Sequence, residues 1–382
     1  MPDKSPFRII GISDEDVKRK IESAHAQLFY GNPTEERICF PTGELSYIED
    51  IGHGDIRSEG MSYGMFIAAR LGLETEFSAL WNFSKQHLQN TEGDYAPYFA
   101  WQVAKSPGTD FHFYKIDKGA APDGEEYFAA ALLIAAEKFD HPEYKREAVE
   151  LLNQMVHKPM RGKVRALFDP ENHLVRFSPM EGNDFSDPSY HTLAFYRLFY
   201  KATGDSFWED AYAASLCFLK KAIHPSTGLS PDYAKFNGTP KHTDFFPTSE
   251  CFSGDAWRVA LNLAQDFQWE IPGVCEELRG EAKEFERDAI RNLLTFFASQ
   301  DFPFADYRID GGKFPTEPRA MTPGLLAMNA AAALALDFEN PADKKLAAPI
   351  LEAFFKEPVP RGKWRYYDGM LYMLGLLALS PD

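Results

Sequence analysis

Apolar positions along this chain recur mostly at helical spacing, and strand-like alternation is scarce. The stretch "SDEDVKRKIESAHAQLF" opens on Ser13 with Asp16 three residues later, a start resembling a capping box. "EEYFAAALLIAAEKF", "SFWEDAYAASLCFLKKAI" and "EELRGEAKEFERDAIRNLLTFFA" predict further helices. The predicted helices are of two kinds. Some, such as that over 274–299, are charged along one face and should meet solvent there. Others are apolar nearly all round and rich in Ala, Leu and Met, which calls for burial on every side. Copies of the second kind open on polar or aromatic residues: "SEGMSYGMFIAA", "PDGEEYFAAALLIAA", "DPSYHTLAFYRLFY", "SGDAWRVALNLA", "MTPGLLAMNAAAALAL" and "YYDGMLYMLGLLAL".

These openings are evenly spaced. Glu59, Asp123, Tyr190, Asp255 and Thr322 follow one another at intervals of 64, 67, 65 and 67 residues, with Asp368 a shorter 46 beyond. A fixed period implies a repeated supersecondary unit, here two helices with their loops. Six such units fill the chain. An inner ring of six buried helices inside a ring of six amphipathic ones accommodates both kinds. The expected fold is therefore an all-α (α/α)6 barrel. No Pro-, Gly- or Ser-rich linker interrupts it, so a single domain over 1–382 is predicted. All inner helices of such a barrel start at one end, which gathers Glu59, Asp123, Tyr190 and Asp255 around one mouth.

Composition narrows the partners. The chain is 45% hydrophobic and 14% aromatic, enough for a large core, and its formal net charge is −17. A surface that acidic, without a basic cluster, argues against nucleic acid and against an anionic membrane. No apolar run reaches the length of a membrane helix. "MPDKSPFRII" shows no signal-peptide pattern, and a cytoplasmic location is expected. Cys39, Cys217, Cys251 and Cys275 are far apart and form no CxxC pair, so neither zinc nor a disulfide framework is expected. No HExxH, P-loop or strand–helix GxGxxG motif occurs. No metal or other cofactor is predicted.

Three carboxylates at one mouth, Glu59, Asp123 and Asp255, offer glycosidic hydrolysis. That chemistry needs an acid for the leaving oxygen, and a base or nucleophile on the other face of the sugar. A helix N-terminus favours the ionised carboxylate. An acid at Glu59 must then be kept protonated by burial or by a neighbouring charge such as Asp55 or Asp123. Plainer roles compete with this. Asp123 in "DGEE" could be an N-cap with Glu126 as its capping-box partner, and Asp255 could cap "AWRVALNLA". Arg57 and Arg258 could be ordinary ion-pair partners, and His53 and His191 are read as structural. Glu59 resists such a reading, because the adjacent Gly60 marks a place of close approach. Aromatic residues crowd the expected mouth loops: Tyr95, Tyr98, Phe99 and Trp101 in "DYAPYFAW", and Trp364, Tyr366 and Tyr367 in "KWRYYDG". Core packing explains any one of them as well as a sugar platform does. Acids and aromatics together favour a carbohydrate cleft.

At "DIRSEGMSYGM", "APDGEEYFA", "FSDPSYH", "GDAWRVALN" and "RYYDGMLYMLGLLALS" the chain resembles glycoside hydrolase family 8, most closely its xylan-cleaving branch. The resemblance implies the same barrel and an inverting reaction on xylan or xylo-oligosaccharides. It implies Glu59 as general acid, Asp255 as general base, and Asp123 as the acid that binds the central sugar. Tyr190 and Arg258 would hold the water and the base, while Trp101, Tyr366 and Tyr367 would be sugar platforms and Arg57 a substrate contact. Members that release xylose from the reducing end carry a histidine before a proline near the fifth inner helix. Here "PRAMTPGLL" has Met321 and Thr322 instead, and "FHFYKIDKGAAPDGEEYFAAALL" looks more like the endo-acting members. Endo-xylanase action is therefore expected, with reducing-end xylose release as the alternative. A β-glucanase or chitosanase and a non-catalytic sugar-binding barrel also remain open at this point.

Overall fold

The computed structural model describes residues 5–108, 111–301 and 303–381. Residues 1–4, the start of the segment read for a signal peptide, lie outside them, as do the outer limits of the 1–382 domain.

Among the described residues the helices alternate, outer then inner, along the chain. They are α1 (Asp14–Tyr30) and α2 (Ser58–Leu71), α3 (Glu74–Phe83) and α4 (Pro122–Lys138), α5 (Pro142–His157) and α6 (Leu193–Thr203). There follow α7 (Phe207–Ala222) and α8 (Arg258–Gln268), α9 (Glu276–Ala298) and α10 (Pro323–Ala332), α11 (Pro341–Lys356) and α12 (Arg365–Ala378). The even-numbered helices pack each on the next, and α12 closes the ring on α2. Each odd-numbered helix lies outside against the inner helix before it, and α1 lies against α12. The expected (α/α)6 double ring is the observed architecture.

Both helix kinds behave as their patterning requires. α10 is buried from Gly324 through Ala332, and α4 from Pro122 through Leu133. In α5 only Tyr144, Ala148, Leu151, Leu152, Met155 and Val156 are buried, a stripe at helical spacing. Small residues let the inner helices approach closely. A Cβ on Gly124 would stand 2.6 Å from Ser58 Oγ and 2.9 Å from Ser58 Cβ, so α2 and α4 meet there almost backbone to backbone. Between α10 and α12, a Cβ on Gly375 would stand 2.9 Å from the Ala327 carbonyl oxygen.

Among the described residues, three small sheets depart from the purely helical expectation. β1 (Cys39–Thr42) pairs with β2 (Leu45–Ile48); β3 (Asp55–Arg57), β4 (Gln102–Lys105) and β5 (Phe113–Asp117) form an antiparallel sheet; and β6 (Phe185–Ser186) pairs with β7 (Ala234–Lys235). Such short strands leave almost no alternating signature in a sequence. Their position matters, however. β3 runs straight into α2, and its neighbours bring Trp101 and Asp117 to the mouth of the ring.

Replacing Gly124 by Ala should force α2 and α4 apart, and a destabilisation of about 1–3 kcal/mol is expected. A fall in Tm read by calorimetry tests this. An unchanged Tm would show that Ser58 moves aside at no cost.

Candidate active site

Glu59 stands in the first turn of α2, next to the end of β3. Its carboxylate receives a hydrogen bond from the Tyr366 hydroxyl at 2.9 Å on Oε1 and one from Arg258 Nη1 at 3.2 Å on Oε2. Gly60 is required by the first of these. A Cβ there would stand 2.6 Å from the Tyr366 hydroxyl oxygen and 2.6 Å from its Cε2, so only glycine lets that ring reach the acid. The close approach marked by Gly60 is made by a side chain of α12.

Arg258, the first residue of α8, joins the acids. Its Nη1 also donates to Asp123 and, at 3.0 Å, to the Tyr63 hydroxyl. Its Nη2 donates to Asp255 Oδ1 at 3.0 Å and lies 3.5 Å from Asp187 Oδ2. Glu59 and Asp255 thus hang on opposite terminal nitrogens of one guanidinium. The shared guanidinium sets an upper limit on their separation, inside the roughly 9.5 Å outer limit of inverting carboxylate pairs.

The capping roles considered for these acids are not what the side chains do. The N-cap of α4 is Ala121, and Asp123 sits inside the first turn with Oδ1 accepting from the Gly124 amide at 2.8 Å. Glu126 turns instead to Thr192 and Tyr196. Asp255 does not cap α8 either. The nearby Ala256 amide is taken by Asp232 Oδ1 at 2.9 Å, leaving the Asp255 carboxylate to Arg258 and the cleft.

One guanidinium cannot neutralise four carboxylates crowded around it, of which Asp123 and Asp187 are buried and Glu59 and Asp255 partly so, and this favours the protonated form of some of them. Burial pushes Glu59 up to about 7, Asp123 adds to the rise, and Arg258 opposes it. Asp255 is raised by burial too, again opposed by Arg258. Asp187 is pushed well above the usual carboxylate range by burial and by Asp255, and Asp232 up to about 8 for the same two reasons. The charge beside Glu59 comes from Asp123. Asp55, the other candidate for that role, is held by Arg57 Nε at 3.1 Å and by Gln102. His191 lies between Ser186 Oγ at 2.9 Å and Ser215 Oγ at 2.7 Å, and burial lowers it to about 3, leaving a neutral structural imidazole.

A cleft of about 600 Å³ opens over this cluster. Glu59, Asp123, Asp255, Tyr190, Arg258, Arg57 and Trp101 all line it, so most of the sequence-predicted site is brought together. Neither tyrosine of "RYYDG", expected as a platform, stands in the lining of this cleft. Tyr366 is 2% exposed, pressed behind Glu59 by the close packing at Gly60, and presents no ring face to a sugar. Tyr367 is partly buried, with its hydroxyl on the Gly254 carbonyl at 2.7 Å and its ring beside Trp257. In "DYAPYFAW", Tyr95 lines the cleft while Tyr98 and Phe99 are core. Trp364 stands away from the cleft lining, against Gly52 and His53.

Sequence reasoning missed Asp187, Asp232 and several wall residues, among them Phe177, Tyr233 and Phe245. Asp187 did leave a signal. In "FSDPSYH" it precedes a proline, and it caps the short turn Pro188–Tyr190 by accepting from the Ser189 amide at 2.7 Å. That turn fixes Tyr190 against Arg258, whose guanidinium lies 5.7 Å from the centre of the tyrosine ring.

Comparison with known proteins agrees with this geometry. The family described as glycosyl hydrolases family 8 matches residues 51–268. A reducing-end xylose-releasing exo-oligoxylanase of Paenibacillus barcinonensis is 38% identical over 98% of this chain and 94% of its own length. A protein of the same description from Halalkalibacterium halodurans is 35% identical over 98% of this chain and 92% of its own length. The structure of a family 8 xylobiose complex from Teredinibacter turnerae superposes with a TM-score of 0.89 at 33% identity, covering 98% of this chain and 95% of that one. With the family's sequence pattern over residues 51–268 and relatives and a solved family 8 structure matching over nearly its whole length, this chain belongs to glycosyl hydrolase family 8.

Proposed function

We propose that this protein is an inverting glycoside hydrolase that shortens xylo-oligosaccharides, releasing xylose from their reducing ends. The observation that carries the catalytic part is the Arg258 guanidinium, which holds Glu59 and Asp255 on opposite nitrogens at the floor of the cleft. Glu59 is assigned as the general acid. Protonated up to about pH 7, it gives its proton to the glycosidic oxygen as that bond breaks. Asp255 is assigned as the general base, taking a proton from the water that attacks the anomeric carbon on the opposite face. Tyr190 and Arg258 hold that water and the base. Asp123 serves the central sugar, Trp101 and Arg57 the neighbouring ones.

The mode of cleavage rests on the relatives. Two of them, matching over nearly their full lengths, are described as reducing-end xylose-releasing enzymes, which favours that mode over the endo-xylanase action expected from Met321 and Thr322. One observation keeps the endo reading in play. A second cavity of about 340 Å³ continues from Asp255 past Phe246, Asp306 and Arg319, room in which further sugars could extend. The unpaired cysteines suit a reducing compartment such as the cytoplasm. The whole chain is taken as one catalytic unit.

Xylohexaose labelled at its reducing end separates the modes. Labelled xylose as the sole early labelled product is expected, whereas a spread of labelled fragments would establish endo cleavage. The pH profile of kcat/KM should fall on the alkaline side near pH 7, as Glu59 loses the proton it must donate. Below that, activity should decline where Asp255 becomes protonated, at a pH above the ordinary aspartate range. Glu59→Gln should lower kcat by about 10²–10⁴-fold with substrate binding kept. Full activity in that variant would remove Glu59 from the acid role.

A further inference from the structure

Phe245 is 64% exposed, yet it belongs to the wall of the cleft. A lone apolar residue on a surface needs no explanation, but this ring is held in place from two directions. Its loop is closed by hydrogen bonds from the Thr243 amide to Ser249 Oγ at 3.1 Å, from Ser249 Oγ to the Lys241 carbonyl at 2.8 Å, and from the Ser249 amide to the Phe246 carbonyl at 3.0 Å. Beneath it lie Phe177 at 5.7 Å, inclined by 30°, and Tyr233 at 6.0 Å. Phe177 in turn lies 6.4 Å from Tyr190 and nearly parallel to it, at 9°. The three rings make a ladder that starts at the catalytic cluster with Tyr190 and leads outward to Phe245.

The outer rung suits a sugar. A pyranose carries a face of C–H groups that packs on an aromatic ring, and its equatorial hydroxyls need polar partners at the edge. Asn183 and Ser178 supply these on the same wall, ordered by a hydrogen bond from Asn183 Nδ2 to Ser178 Oγ at 2.7 Å. Covering Phe245 also removes apolar surface from water, which favours binding. A pre-ordered ring loses little freedom when its partner arrives.

We propose that Phe245 is the stacking platform for one xylose unit of the substrate lying outward of the bond that is cleaved, with Asn183 and Ser178 meeting that unit's hydroxyls. The proposal rests on the xylo-oligosaccharide reading above. Because the unit bound there is not the one that reacts, Phe245 should govern binding and leave the chemical step alone.

The test is steady-state kinetics on xylohexaose with Phe245→Ala, Phe245→Leu and Phe245→Tyr. Phe245→Ala and Phe245→Leu should raise KM by about tenfold with kcat nearly unchanged, and Phe245→Tyr should restore it. An exposed ring can be removed without unfolding the chain, so Tm should stay at the wild-type value. An unchanged KM in Phe245→Ala, a Leu variant as good as wild type, or a loss confined to kcat would each overturn the platform while leaving the substrate reading intact. A wild-type enzyme inert on xylohexaose would instead overturn the substrate reading, and this subsite with it.

Discussion

The sharing of one cation among several crowded carboxylates is the constraint on which the site depends. Arg258 contacts Glu59, Asp123, Asp255 and Asp187, which reach it from four different parts of the chain. Burying Asp123 or Asp187 alone would be costly, and crowding Glu59 and Asp255 beside them without a counter-ion more so. Arg258 makes the cluster tolerable, yet with a single charge it leaves an excess of negative groups. That excess has a chemical use. Burial raises Glu59 to about 7 and the neighbouring Asp123 adds to that rise, so that a carboxylic acid there can hold a proton near neutral pH and still give it up.

The barrel exists to keep that arrangement in register. An arginine at the start of α8 reaches acids on α2 and α4 only because all three helices begin at the same end of one ring. Glycines at the contacts allow the approach: Gly124 brings α4 onto Ser58, and Gly60 admits Tyr366 to the acid. The outer helices stabilise the ring from outside and leave the mouth to loops and to the β3–β4–β5 sheet. The acids are thus carried at the starts of packed helices, while loops and a short sheet build the walls of the cleft.

Much of this was legible in the sequence, for identifiable reasons. Helices buried on all sides must be apolar on all sides, so the inner ring announced itself, and its even spacing gave both the repeat and the shared mouth. The acids stood out because a charged residue opening an otherwise apolar helix has few explanations. Glu59, Asp123, Asp255, Arg258 and Tyr190 came from that logic together with the family motifs. The aromatic residues were harder to place. Trp101 and Tyr366 look alike as letters near the mouth, but one lines the cleft and the other is pressed behind Glu59.

By itself, then, the sequence determined the double ring, its common mouth and the identity of the acids, because burial and periodicity are written along a single helix. Only the tertiary structure decided which side chains share Arg258, which rings line the cleft and that Asp187 and Phe245 lie beside it. Those facts depend on distances between segments tens to hundreds of residues apart. Glu59 and Arg258, 199 positions apart, touch through packing that no local pattern encodes.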